Sequence, residues 1–223
     1  MCVSWLRSSI GKKALMAVSG LVLVAFLVSH LLGNLLIFGG PEALNAYGAK
    51  LRHLGWGLWA ARVFLIVMVI VHITTSVQLA MENRRARPQR YQIQRHAETS
   101  PAARAMLISG LFVLVYLLYH LLHFTFRVTN PEISHSLDAL GRHDIYSMVV
   151  RSFQQPSVVL AYIGGMAFVC LHLSHGVASA FQTLGLTTER TIPVLGWVSR
   201  LFALAVFLGY CAIPVAVLLG VVE

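Results

Sequence analysis

The stretch ALMAVSGLVLVAFLVSHLLGNLLIF, residues 14–38, contains no Asp, Glu, Lys or Arg. About 20 consecutive apolar residues in a helix are enough to cross the hydrocarbon core of a bilayer. Backbone groups in lipid must be satisfied within the segment itself, and the stretch is too long for a barrel strand. It is therefore predicted to be a transmembrane helix.

Four further tracts repeat this pattern. The five predicted spans, numbered first to fifth in chain order, are residues 14–38, 60–81, 105–126, 157–181 and 199–221. Hydrophobic residues make up 57% of the chain and charged residues only 11%, whereas soluble domains carry roughly 25% charged residues. The sequence predicts an all-α integral membrane protein, a bundle of five transmembrane helices in a single domain over residues 1–223.

The N-terminus has the charge pattern of a secretory signal, because Arg7, Lys12 and Lys13 precede an apolar run. The run continues through residues 14–38 without a small-x-small cleavage site. That length suits a first spanning helix better than the apolar region of a signal peptide. We expect no cleavage here.

Lys and Arg are distributed unequally between the two ends of the predicted bundle. The end that holds the N-terminus has eleven Lys and Arg against three acidic residues, a net charge of +8, and the opposite end has six against five, a net +1. Positive loops stay cytoplasmic, so the N-terminus is predicted inside and the C-terminus outside. The arginine-rich run of residues 84–95 is either a topology anchor or a contact with anionic headgroups or an acidic partner. No nucleic-acid-binding motif accompanies the positive charge.

Histidines recur deep inside the predicted spans. One lies within each of the first four spans: His30, His72, His120 and His172. Polar groups inside a bilayer are costly and generally functional. A single buried His is as readily explained by an interhelical hydrogen bond. Four of them, with no Asp or Glu at mid-membrane to complete a proton relay, favour metal binding by imidazole.

The depths of these histidines sort them into two pairs. At the helical rise of 1.5 Å per residue, His30 and His120 lie roughly 9 to 12 Å from the outer boundary. His72 and His172 both lie about 14 Å from the cytoplasmic end of their spans. The result is one outer and one inner pair, each from two helices, which is how a bundle holds a haem between two axial histidines. The sequence predicts two haems.

An internal repeat supports His120 over its neighbour His123, three residues later on nearly the same helix face. Ser19-Gly20 precedes His30, and Ser109-Gly110 precedes His120, with the same ten-residue step from glycine to histidine. The two glycines reach the depth of the inner pair, where they leave room either for a porphyrin edge or, more commonly, for close helix packing.

The fourth span has a similar ambiguity, because His175 follows His172 by three residues. Matched depth with His72 favours His172 by about one helical turn. Spacing alone leaves both open.

The cysteines restrict how a haem could be attached. Cys2, Cys170 and Cys211 form no C-x-x-C pair, no zinc-type spacing and no C-x-x-C-H. Any haem must therefore be non-covalent, and the cysteines within spans are expected to be packing residues.

Two loops at the outer end are predicted to contain short helices. Pro41 opens residues 41–47 as a surface helix with proline in its first turn, and residues 131–151 resemble it. The loop histidines, His53, His135 and His143, are expected to be mostly solvated.

Over nearly its whole length the chain resembles the single-subunit, dihaem cytochrome b anchor of succinate:quinone oxidoreductases, the succinate dehydrogenase and fumarate reductase group. The resemblance rests on the Ser-Gly-x9-His phrases at His30 and His120, on His72, and on Leu171-His172-Leu173-Ser174-His175-Gly176 leading to Gly185. In that family the axial histidine of the fourth helix precedes this last glycine by thirteen residues, which selects His172. The glycine-to-histidine step likewise selects His120.

The resemblance implies a subunit of a bacterial cytoplasmic membrane that docks a flavoprotein and an iron–sulfur subunit on the cytoplasmic side. It implies two b haems, held by His30 with His120 and by His72 with His172, and electron exchange with quinone. Succinate chemistry then belongs to another subunit, and no catalytic residue for it is expected here. Some fumarate reductase members carry a glutamate where this chain has Cys170, which favours succinate oxidation. The alternative is the anchor of a fumarate reductase, or of another membrane oxidoreductase such as a hydrogenase or formate dehydrogenase.

The quinone is predicted to bind beside the outer pair. Asn34 and His123, each one turn outward of a ligand, are the candidate contacts, with interhelical hydrogen bonding as the alternative role. An electron that moves to the outer face crosses a field worth about 2.3 kcal/mol per 100 mV, in the downhill direction. Such a layout would help to reduce a low-potential quinone such as menaquinone.

Overall fold

The computed structural model describes residues 8–86 and 105–223, and the long elements within them are all helical. The helices are α1 (Ser9–Asn34), α2 (Gly40–His53), α3 (Trp56–Arg85), α4 (Met106–His120), α5 (Pro131–Ser134), α6 (Ile145–Phe153), α7 (Pro156–Thr183) and α8 (Thr191–Leu218). A 3-10 helix over Leu35–Gly39 connects α1 to α2. The long helices α1, α3, α4, α7 and α8 belong to the five segments that are long and apolar enough to cross a membrane. The predicted five-helix, all-α membrane bundle is confirmed.

The helices extend beyond the predicted spans because charged residues continue them past the apolar tract. α1 begins at Ser9, so Lys12 lies within the helix and forms an ion pair with Glu82 near the end of α3. α8 begins at Thr191, eight residues before the predicted span, and Arg200 within it lies over the ring of Trp197. Long basic side chains can pack their stems on apolar surface while the charge reaches water or a partner. Most of the arginine-rich run lies outside the described residues.

The third span differs from a regular helix at its outer end. α4 ends at His120, and a π-helical turn follows over Leu121–Thr125. The amide of Phe126 donates to the carbonyl of Leu121 at 2.7 Å, a bond across five residues. Such wider turns are rare and occur frequently at functional sites.

Four of the spanning helices pack in the order α3, α1, α7, α4. α3 packs on α1, α1 on α7, and α7 on α4, while α8 packs along the outer side of α7. In this order α1 and α4 are not neighbours, and neither are α3 and α7, so the members of each of these two couples lie across the group from each other. A buried cluster between α7 and α8 holds the fifth helix in place, with Met166, Leu173, Ala203 and Val206 among its members.

One end of the bundle, which we call the capped end, is closed by α2, α6 and the C-terminus. The helix predicted at Pro41 is α2, which confirms that expectation, whereas the counterpart predicted over residues 131–151 is divided into α5 and α6. Asn45 of α2 is only 2% exposed and accepts a hydrogen bond from the amide of Tyr146 at 3.0 Å. The hydroxyl of Tyr146 donates to the Glu223 carbonyl at 2.8 Å. The opposite end, where α1 begins, we call the open end.

Two carboxylates stabilise the capped end in their ionised form. Burial alone would raise the pKa of Asp144, but hydrogen bonds from Ser147 and Asn45 lower it below its usual value. Burial would also raise the pKa of Asp138, and hydrogen bonds from Arg142 again outweigh it. Because both pKa values are depressed on folding, this stabilisation is present above the unfolded value of about 3.9 and is lost as the pH falls through the folded value.

Candidate functional site

Two histidine pairs lie one above the other inside the bundle. His72 on α3 and His172 on α7 have ring centroids 6.3 Å apart, with an interplanar angle of 75°. His30 on α1 and His120 on α4 have ring centroids 5.9 Å apart, with an angle of 81°. These are the two pairs expected from depth. The structure brings their members together, while axial ligation itself stays a prediction.

Each pair joins two helices on opposite sides of the group, so the imidazoles meet in its interior. His172, rather than His175, is the α7 imidazole that faces His72. The inner pair lies level with Gly20 on α1, and His30 lies ten residues further along the same helix. At 1.5 Å per residue the two pairs are therefore about 15 Å apart along the bundle.

Aromatic side chains surround the outer pair. Phe26 stacks on His30 with ring centroids 5.4 Å apart. Tyr116, Phe124 and Tyr162 lie around His120 at centroid distances of 6.3, 5.8 and 6.1 Å. We call these aromatic rings around the outer pair the aromatic wall.

The separation of the imidazoles fits a metal ion held between them. A metal–imidazole bond of about 2 Å on each side places the two ring centres roughly 6 Å apart. The centroid distances of 5.9 and 6.3 Å match this value. No group of three or more His, Cys, Asp or Glu suited to a metal occurs among residues 8–86 and 105–223. A site with two axial protein ligands, as in a haem protein, needs only the pairs that are present.

The hydrogen-bond partners of the second ring nitrogen differ between the two pairs. Nδ1 of His72 lies 3.0 Å from the carbonyl oxygen of Met16, and Nδ1 of His172 lies 3.2 Å from the hydroxyl of Ser109. Both contacts leave Nε2 as the nitrogen for a metal. Nδ1 of His120, in contrast, is buried and has no hydrogen-bond partner in the described part of the chain. Buried polar atoms in proteins are nearly always satisfied, so the unpartnered Nδ1 of His120 is unusual.

Glycines adjoin the inner pair. A Cβ on Gly20 would lie 3.0 Å from Cε1 of His72, and one on Gly110 would lie 3.3 Å from Cε1 of His172. The glycines of the sequence repeat therefore make room for imidazole rings. In the sequence, the repeat relates each glycine to the outer histidine of the same helix. The contact of each glycine with an inner histidine on the neighbouring helix was not predicted.

The two candidate quinone contacts hydrogen-bond within the protein. His123 is 1% exposed, and its Nδ1 lies 3.0 Å from the Tyr162 hydroxyl, an interhelical contact of the kind given as its alternative role. The side-chain amide of Asn34 donates to the carbonyl oxygen of His30 at 2.7 Å. Neither contact tests whether a quinone binds here, so that role stays a prediction.

The histidines of the outer loops lie apart from both pairs. His53 and His135 are exposed. His143 is partly buried, and its Nδ1 lies 3.1 Å from the Arg127 guanidinium.

Comparison with known proteins gives no match to a family model, to a curated protein or to a solved structure.

Proposed function

We propose that this protein is the membrane-anchor and electron-transfer subunit of a succinate dehydrogenase, of the dihaem cytochrome b type. The observation that carries the proposal is the presence of two imidazole pairs at different levels of the bundle. In each pair the rings have the separation that a shared metal requires.

The chain's own residues would have distinct parts in this function. His72 with His172, and His30 with His120, would each supply two axial ligands from opposite sides of the bundle. Haem bound at each of the two pairs would supply reversible one-electron transfer. The two haems together would connect an iron–sulfur subunit with quinone. The aromatic wall around the outer pair would exclude water and so influence the redox potential.

The partners are proposed from charge and from the sequence resemblance. The charge count of the sequence assigns +8 to the side of the N-terminus and +1 to the opposite side, and we propose that the N-terminal side faces the cytoplasm of a bacterium and docks the iron–sulfur and flavoprotein subunits. Quinone, with menaquinone as the favoured type, would react near the capped end.

The first test is the reduced-minus-oxidised absorption spectrum of the purified protein. We expect the bands of low-spin b haem, with two haems per chain and release of the haem by acidic acetone because the attachment is non-covalent. A haem-free protein from cells with ample haem would overturn the proposal and favour a structural anchor or transporter.

The second test identifies the partner enzyme. A tagged chain, isolated from its own membranes under mild conditions, is expected to bring down flavin-containing and iron–sulfur subunits with succinate:quinone reductase activity. Hydrogenase or formate dehydrogenase activity in their place would support the alternative anchor.

Replacement of Asn34 or His123 by Ala tests the quinone site. Each variant is expected to keep both haems and to reduce quinone turnover by roughly tenfold, the effect of losing a hydrogen bond worth about 1.4 kcal/mol. His53→Ala, at an exposed position of the same end, is the control. Loss of the outer haem in either variant would instead assign that residue to the haem pocket.

A further inference from the structure

We infer that Ser19 and Ser109 are a matched pair of positioning residues, each of which fixes the imidazole of an inner histidine from the neighbouring helix. Ser19 on α1 acts on His72 of α3, and Ser109 on α4 acts on His172 of α7. The inference rests on the proposed function, which supplies the metal that the imidazoles would hold.

The hydrogen bonds of Ser19 determine which of its atoms faces the imidazole. Its hydroxyl donates to the carbonyl of Leu15 at 2.7 Å, and its oxygen lies 3.4 Å from Nδ1 of His72. Because the hydroxyl hydrogen is directed to the backbone, the oxygen presents a lone pair to the ring. The carbonyl of Met16, 3.0 Å from the same nitrogen, is also an acceptor. Nδ1 of His72 therefore faces two acceptors and must carry the hydrogen.

Ser109 repeats this arrangement on the other side of the bundle. Its hydroxyl donates to the Met106 carbonyl at 3.1 Å, and its oxygen lies 3.2 Å from Nδ1 of His172. Both serines are 1% exposed, so water cannot replace them as acceptors.

The repeat that contains the serines is longer than the Ser-Gly pair. Met16-Ala17-Val18-Ser19-Gly20 and Met106-Leu107-Ile108-Ser109-Gly110 have the same Met-x-x-Ser-Gly pattern. In each copy the serine oxygen lies beside Nδ1 of the inner histidine, the serine hydroxyl donates to the methionine carbonyl, and the glycine leaves space for the ring. One device thus acts twice, once on each ligand of the inner pair.

This device has two chemical consequences for the inner pair. It holds the hydrogen on Nδ1, which leaves the Nε2 lone pair for a metal, and it makes the imidazole a stronger electron donor. The outer pair lacks an equivalent on His120, whose Nδ1 has no partner among the described residues. Removal of either serine should therefore affect the inner site alone.

The test uses the complete membrane complex with Ser19→Ala, with Ser109→Ala and with both. Each single variant is expected to weaken haem retention at the inner site by about 10- to 100-fold, the usual effect of losing such a partner of a metal ligand. The midpoint potential of the inner haem should rise, because a weaker donor stabilises the ferric state less. The low-spin EPR signal of the same haem should shift as its ligand planes reorient.

The matched control is Ser174→Ala, close to His172 on α7, whose hydroxyl donates to its own helix at the Leu171 carbonyl. It should leave both haems unchanged, and Ser109→Thr, which keeps the hydroxyl, should restore the inner potential. A dihaem wild-type protein whose inner haem is indifferent to both serine variants would overturn this inference alone. A wild-type protein without haem would overturn the proposed function, and the inference with it.

Discussion

His72→Ala and His172→Ala are each expected to remove one and the same haem, the one nearer the open end, and to lower the haem-to-protein ratio from two to one. His30→Ala and His120→Ala should remove the other. The reason is geometric, because each pair of rings has centroids about 6 Å apart and would share one metal. Loss of one imidazole leaves the metal with a single axial ligand or leaves the pocket empty.

The read-out is haem content together with a redox titration of each variant. Within a pair the two variants should show the same surviving potential, and between pairs the surviving potentials should differ. His123→Ala and His175→Ala are the controls, since each histidine lies three residues from a proposed ligand and neither faces the opposite imidazole of a pair.

Two outcomes would contradict the assignment in different ways. If His175→Ala empties the inner site and His172→Ala does not, the ligand on α7 is one turn from the proposed position. If His30→Ala and His172→Ala remove the same haem, the pairing itself is wrong.

The fold could be predicted from the sequence because a bilayer imposes a minimum length on each apolar tract. The depth of each histidine could also be predicted, since the helical rise converts residue number into distance from the membrane boundary. The helix ends could not be obtained in this way. Lys12 lies inside α1, where it pairs with Glu82 of α3, and the local sequence does not specify a contact between helices.

The contacts that orient the histidines could not be predicted from the sequence either. The Ser-Gly repeat was visible along α1 and α4, but its serines contact histidines on α3 and α7. Which neighbour a side chain meets depends on how each helix is rotated about its axis, and apolar composition all round the helix leaves that rotation open. The π-helical turn after His120 has the same status, because no residue type in Leu121–Thr125 specifies it.

Gly165→Ala is expected to destabilise the bundle and to empty the outer site, whereas Gly164→Ala, one residue earlier on α7, should do neither. A Cβ on Gly165 would overlap the ring of Tyr116 on α4, while a Cβ on Gly164 would meet no atom within 4 Å. Overpacking of this kind costs about 1–3 kcal/mol.

The clash at Gly165 should reach the outer site because of what Tyr116 contacts. Its ring lies against Tyr162 at a centroid distance of 5.5 Å and against His120 at 6.3 Å. A ring pushed away from α7 therefore displaces the proposed ligand on α4. Thermal unfolding in detergent and haem content would measure both effects.

Gly164→Ala is the matched control, because the same change in an exposed part of the same helix adds helix propensity of about 1 kcal/mol without a clash. Shortening the obstructing ring, in the double variant Gly165→Ala with Tyr116→Leu, should recover much of the lost stability. If Gly165→Ala melts like Gly164→Ala and retains the outer haem, then α4 and α7 do not pack through this glycine, and the aromatic wall is not what holds His120 in place.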